Sequence, residues 1–329
     1  MIKNSTFLIT GGTGSFGKTL LIYLLKNDIN RVICLSRDED KQHLLKLQLN
    51  DDRVNFLLGD VRDPTTIQNA LRNVDYVFHA AALKHVPASE LNPAEYIRTN
   101  VIGSENLLNA LSTSSVKKAI FLSTDKAVAP VNAMGMTKAL MEKLVRANTD
   151  LVHKTCITRY GNVIGSRGSV IPQFIETLRT KNEITLTNPL MTRFLMSLSE
   201  SVELVLHALE HGESGDLFVQ KSPAASILTI YSALSELMGI SNPKVVTIGN
   251  RPGEKMHETL LTSEEMFFSS STERYFQVPK RNFKGKETSL NWFGDNSEYT
   301  SANTKILTVN ELVDIFSNNA EISRLISRI

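Results

Sequence analysis

A few short stretches of this chain hold residues whose types and spacing could do chemistry. In Gly11-Gly12-Thr13-Gly14-Ser15-Phe16-Gly17 the glycines at 11, 14 and 17 permit a tight turn, close backbone approach to a pyrophosphate and close helix packing. Asp125 and Lys126 are a neighbouring carboxylate and amine, equipped to give and take a proton if burial and nearby positive charge depress the lysine toward neutrality. Met134 and Lys138 are four residues apart and so share a helical face, on which only the lysine can titrate. Arg193 and Arg251 carry planar guanidinium forks suited to phosphate oxygens.

These residues need a scaffold, and the first half of the chain supplies its pattern. Short β-branched runs at 6–10, 31–36, 53–58, 74–80, 117–123 and 154–161 alternate with segments of helical spacing. That predicts an α/β, Rossmann-type doubly wound parallel sheet of six strands, with its ligand beyond their carboxyl ends. The glycine stretch directly follows the first strand and precedes a helix beginning near Lys18, the context a dinucleotide site requires. The second strand ends Leu35-Ser36-Arg37 without the acid that would hold a ribose 2′-hydroxyl. A hydroxyl followed by a guanidinium suits a 2′-phosphate, so the expected cofactor is NADP, with Lys41 as a second cation. Asp60 and Val61 are placed to touch the adenine edge, and Ala80-Ala81-Ala82 lets backbone lie against the dinucleotide.

After about residue 165 helices are expected around 171–181, 199–211, 229–238 and 263–267, with brief strands at 184–187 and 244–248. The division read from this is a dinucleotide domain over 1–165 plus about 195–221, a smaller substrate lobe over 166–194 and 222–279, and a C-terminal extension over 280–329. The extension is polar from 279 to 300, with one short helix at 309–316.

Composition excludes several classes of partner. Lys plus Arg number 36 against 34 Asp plus Glu, which gives no electrostatic case for nucleic acid or an anionic membrane. Cys34 and Cys156 sit in apolar runs and read as small hydrophobes, with no metal site or disulfide framework indicated. There is no basic leader with a long apolar run, and no stretch of about 18 apolar residues, so a cytoplasmic address is expected.

Thr10–Gly17, His79-Ala-Ala-Ala82, Ser123-Thr-Asp-Lys126, Pro130–Lys138 and Arg159-Tyr-Gly-Asn162 together resemble the extended short-chain dehydrogenase/reductases. Ser166–Pro172, Met191-Thr-Arg-Phe194, Val219–Ala225 and Arg251-Pro-Gly-Glu-Lys255 are similar to a narrower group, the C5-inverting UDP-N-acetylglucosamine 4,6-dehydratases of capsule and other surface-polysaccharide pathways. The superfamily's Tyr-x-x-x-Lys stands here as Met134–Lys138, a departure that this branch shares. The resemblance implies Asp125 as acid toward the C6 hydroxyl, Lys126 as base at C5, Thr124 on a sugar oxygen and Lys138 on the nicotinamide ribose. Either Lys126 or a relay anchored by Lys138 would take the C4 hydroxyl proton. It also implies Asn100 among the cofactor contacts, and Lys84, His85, Asn162, Val170, Thr187, Arg193, Arg251 and Glu254 around UDP-N-acetylglucosamine. Such enzymes are usually homo-oligomers, often hexamers. A UDP-hexose 4-epimerase and a non-catalytic NADP-binding regulator are the competing readings.

Overall fold

The computed structural model describes residues 3–148, 154–166, 168–181, 183–241, 244–280 and 297–327. The first half runs β1 (Thr6–Thr10), α1 (Ser15–Leu25), β2 (Arg31–Ser36), α2 (Glu39–Leu49), β3 (Val54–Leu58), α3 (Pro64–Ala70) and β4 (Tyr76–His79). It continues through α4 (Val86–Leu91), α5 (Pro93–Tyr96), a π-helical stretch Ile97–Ile102, α6 (Gly103–Leu111), β5 (Lys118–Thr124), a 3-10 turn Asp125–Ala127, α7 (Ala133–Ala147) and β6 (Lys154–Tyr160). All five residues of β1 are buried, as a central parallel strand covered by helices on both faces requires. The α2 helix was not anticipated from periodicity. Its ends are signalled instead by caps, with Asp38 accepting from the Lys41 N–H and Asn50 turning left-handed, while only Gln42 and Leu45 are buried.

The second half contains β7 (Asn162–Val163), α8 (Val170–Lys181), β8 (Glu183–Leu186), β9 (Thr192–Met196), α9 (Leu198–His211), β10 (Leu217–Gln220), β11 (Ala224–Ser226) and α10 (Ile227–Leu237). Then follow β12 (Lys244–Thr247), β13 (Thr259–Leu261), α11 (Ser263–Phe268), β14 (Ser270–Ser271), β15 (Tyr275–Val278), β16 (Tyr299–Thr300), α12 (Val309–Ser317) and α13 (Ala320–Ile326).

The expected doubly wound sheet is present, but it has nine strands rather than six, in the order β14-β15-β10-β6-β5-β4-β1-β2-β3. The apolar β10 pairs parallel to β6, and β15 and then the edge strand β14 follow antiparallel, so β6 is an interior strand. Residues 270–278, assigned by the sequence division to the smaller lobe, are therefore sheet strands. The smaller lobe has its own core, where Phe174 and Leu178 of α8 meet Ile230 and Leu234 of α10. Leu312, Phe316 and Ile322 are buried in that same core, so 309–326 is part of the lobe and not a separate extension. Most of the polar 279–300 stretch lies outside the described residues. Both cysteines are buried, and burial pushes each thiol up to about 12. No helix among the described residues is long and apolar enough to cross a membrane.

Candidate active site

Gly11 leaves β1 at φ 69°, and a Cβ there would stand 2.8 Å from the Ala81 nitrogen. The loop after β1 thus lies directly on Ala80-Ala81, held further by the Ala81 N–H donating to Thr10 Oγ1 at 3.2 Å. Beyond Gly14 no side chain caps α1, so its N-terminal turn is presented past the loop at the ends of the strands. A tight glycine turn feeding a helix without a side-chain cap fits the phosphates of a dinucleotide. Thr13 is buried, Ser15 opens α1, and Phe16 packs partly into the core beneath it.

At the end of β2, the Ser36 hydroxyl accepts from Gln42 Nε2 at 3.0 Å. The half-exposed Arg37 is 3.5 Å from Asp60 Oδ2, which Arg62 holds at 2.6 Å. Burial works against the charge on Asp60, but the guanidinium and backbone N–H of Arg62, with the Arg37 charge, outweigh it and keep the carboxyl below its ordinary value. Lys41 is paired with Asp38 in the first turn of α2. Two residues expected at the cofactor also have structural contacts of their own. Val61 is only 5% exposed and belongs to the sheet core, packed where a Cβ on Gly103 would lie 2.8 Å from its Cγ2. Asn100 is buried, with its amide spent on both the N–H and the carbonyl of Leu83 and on Thr137 Oγ1, so it acts by holding the loop that also carries Lys84 and His85.

The 3-10 turn after β5 holds the neighbouring carboxylate and amine. Asp125 is fully buried, and its Oδ1 accepts from Thr124 Oγ1 at 2.8 Å and from Lys126 Nζ at 3.0 Å, while Oδ2 has no partner. Lys126 Nζ also lies 3.4 Å from Glu258 Oε1. Burial presses the Lys126 amine toward neutrality, but the Asp125 and Glu258 carboxylates outweigh it and raise its pKa. The expected depression therefore does not hold at Lys126. It holds at Lys138, whose buried ammonium donates to the Leu122 carbonyl at 2.6 Å and is brought down by burial to about 8. Met134 is 3% exposed on the same helix. Tyr160, beside Thr124 on the neighbouring strand, has its phenol pushed up by burial and offers no ready proton.

Close contact between α7 and this turn depends on Gly135, where a Cβ would fall 2.2 Å from the Lys126 carbonyl oxygen. The obstacle is backbone and cannot rotate away. Gly135→Ala is expected to cost about 1–3 kcal/mol of stability by overpacking and to lower turnover by displacing the Asp125–Lys126 turn. Denaturant melts alongside assays of the folded variant check this, and wild-type values for both would remove the claimed dependence.

Toward the smaller lobe a cavity of about 120 Å³ is lined by Lys126, Asn162, Arg193, Glu254, Lys255 and Glu258 among others. Four of these were expected from sequence. Lys255, whose Nζ donates to the Val128 carbonyl at 2.5 Å, and Glu258 were not assigned roles. Lys255 lies inside a recognisable motif, whereas nothing local marks Glu258. Arg193 is anchored by the Thr192 carbonyl at 2.7 Å, and Arg251 is half-exposed, 3.9 Å from Glu254 Oε1. Thr187 contacts Met191 sulfur at 3.4 Å and Val170 begins α8, both outside the cavity lining. The His85 ring packs on Gly168, where a Cβ would sit 2.4 Å from Cε1, so the loop after β4 touches the smaller lobe; Lys84 beside it is exposed.

The profile of the family described as "Polysaccharide biosynthesis protein" matches residues 7–280. The chain belongs to that family. Among its relatives is one from Rickettsia bellii named UDP-glucose 4-epimerase, 47% identical over 97% of each chain. The X-ray structure of Pen from Bacillus thuringiensis is 34% identical, covers 97% of this chain and 98% of its own, and superposes with a TM-score of 0.90. A dTDP-glucose 4,6-dehydratase from Streptomyces venezuelae, DesIV, is 22% identical over 76% of this chain with a TM-score of 0.71, which shows the shared fold. With the fold, these comparisons place the chain among the extended short-chain dehydrogenase/reductases, and its relatives and structural neighbours include an epimerase and a dehydratase.

Proposed function

We propose that this protein is an NADP-dependent UDP-N-acetylglucosamine 4,6-dehydratase that inverts C5 and yields a UDP-4-keto-6-deoxy-L-sugar for surface-polysaccharide synthesis. One observation carries the reading. The helix face that would bear a catalytic phenol bears the buried Met134, while an acid and a base stand together at the strand ends as Asp125 and Lys126. Epimerisation at C4 needs proton transfer at the C4 hydroxyl alone; a 4,6-dehydration also needs a base at C5 and an acid at the C6 oxygen. The names of the Rickettsia relatives favour the epimerase as second reading.

When bound, the nicotinamide would accept the C4 hydrogen as hydride and return it to C6. The protein's task is the proton inventory. Lys126 donates to Asp125 across a 3.0 Å hydrogen bond, and passing the shared proton along it gives a carboxylic acid beside a free amine. That tautomer removes both charges from a buried pair, so desolvation of the pair favours it. Lys126 then takes the C5 proton as Asp125 protonates the departing C6 oxygen; the C4 hydroxyl proton would pass to a relay anchored by Lys138, and the same relay would return a proton to the opposite face of C5, which inverts it. Thr124 would orient a sugar oxygen, and Arg193 and Arg251 would take diphosphate oxygens.

Incubation with UDP-N-acetylglucosamine and NMR of C6 tests the reaction. A new methyl signal is expected; a C4 change without a methyl means epimerisation, and no change means a binding protein. In the same assay Met134→Tyr is expected to be neutral or harmful, since a phenol adds nothing that Asp125 and Lys126 lack. A sharp gain from a nearly inactive wild type would overturn the assignment. For the cofactor, Arg37→Ala is expected to weaken NADP selectively, by about 10-fold or more for one charged phosphate contact. Equal losses for NAD and NADP in titrations would remove Arg37 from the 2′-phosphate.

A further inference from the structure

Glu258 stands one residue before β13, far along the chain from the residues it meets. Its backbone is fixed from both sides by Ser301, whose hydroxyl accepts from the Glu258 N–H at 2.9 Å and whose N–H donates to the Glu258 carbonyl at 2.8 Å. The side chain is 4% exposed, with Oε1 3.4 Å from Lys126 Nζ and 3.8 Å from Arg193 Nε. Oε2 is buried without a hydrogen-bond partner, on a side chain that lines the cavity. A buried carboxylate oxygen left without a donor is costly, and a polar cavity beside it is where a donor would arrive.

Resting on the dehydratase reading of this site, we propose that Glu258 binds the substrate and positions the base: Oε1 holds the Lys126 ammonium, and Oε2 accepts a hydrogen bond from a hydroxyl or amide N–H of the sugar. The two functions are coupled. A sugar donor on Oε2 draws on the same carboxylate charge that keeps Lys126 protonated, so sugar binding itself loosens the proton that the base must lose. The groups facing Lys126 are Asp125 on its own turn, Glu258, Arg193 from β9, and Glu254 and Lys255 from the loop before Glu258. With Glu258 neutralised, burial and Arg193 act against Asp125 alone.

The test compares calorimetric affinities for UDP and UDP-N-acetylglucosamine in wild type, Glu258→Gln and Glu258→Ala, together with the pH profile of kcat/KM. UDP affinity should be unchanged in both variants, which certifies the fold. The extra affinity supplied by the sugar should fall about 10- to 100-fold in Glu258→Ala, the usual loss for a hydrogen bond to a charged group. In Glu258→Gln the acid limb of kcat/KM should move to lower pH, because the amide no longer holds the base protonated. A merely structural role would move neither. An unchanged sugar contribution overturns the proposal, and so does an unmoved acid limb. Should Glu258→Ala lose UDP affinity as well, Glu258→Gln, a weaker acceptor of the same shape, decides the binding comparison in the same direction. If wild type forms no methyl product the dehydratase reading fails, and the binding comparison, which needs no turnover, still decides Glu258.

Discussion

Lys126→Arg is expected to lower formation of the methyl product by about 10²–10⁴-fold, the usual loss for one acid or base group, while fold and dinucleotide affinity stay intact. Arginine can keep the ion pairs that Lys126 makes with Asp125 and Glu258. It cannot shed its proton, because its pKa lies above about 12. The substitution therefore separates the charge of residue 126 from its ability to act as a base, which alanine cannot do. Lys126→Ala removes the partner of two buried carboxylates at once, so its loss of activity would be confounded by destabilisation. Exchange of the C5 hydrogen in deuterated water gives a second readout independent of water loss. Arginine at 126 with near wild-type exchange and turnover would exclude Lys126 as the base.

The largest expected loss of stability lies one helical turn beyond Lys138. Arg159 on β6 is almost wholly buried and uses all five of its N–H groups: Nε and Nη2 donate to Glu142 of α7, Nη1 and Nη2 to Glu265 of α11, and Nη1 also to the Leu260 carbonyl. Ser123 at the end of β5 donates to Glu142 at 2.5 Å, so the network ties α7 to the strand that leads into the Asp125–Lys126 turn. Arg159→Met removes the cation hydrogen-bonded to both Glu142 and Glu265, leaving only the more distant Arg146 charge, and is expected to cost about 3–5 kcal/mol at neutral pH. The pH dependence identifies the cause. In wild type burial works against the Glu265 charge, but Arg159 outweighs it and holds the carboxyl below its ordinary value. Its contribution is present above the ordinary carboxylate pKa and is lost as pH falls through the depressed folded value. In Arg159→Met only the Thr262 N–H and the Arg146 charge remain against burial and the carboxyl rises, so protonation relieves the damage and the gap from wild type narrows as pH falls. Denaturant unfolding at neutral pH and near pH 4, around the ordinary carboxylate value, measures this. A penalty independent of pH would assign the loss to packing instead.

Much of the scaffold was legible because it is encoded locally. Apolar runs of strand length, helical spacing between them and a glycine stretch after the first strand each depend on neighbours a few residues away, and six strands and the dinucleotide loop follow from them. The position of Asp125-Lys126 just past β5 and the methionine at 134 could likewise be read from the chain, since a residue's place at a strand end or on a helix face is a matter of counting. What the chain could not disclose is which distant groups meet. Residues 270–278 and 309–326 join the sheet and the smaller lobe through long-range burial that no short window reveals. The protonation of Lys126 depends on the same kind of contact. With Lys138 as the neighbouring charge, sequence predicts a depressed amine; folding instead places Lys138 on the Leu122 carbonyl and brings in Glu258, so the balance reverses. Coulomb interactions fall with distance in space and not along the chain, so residue types and spacing set which groups could do chemistry, and tertiary structure alone decided their charge.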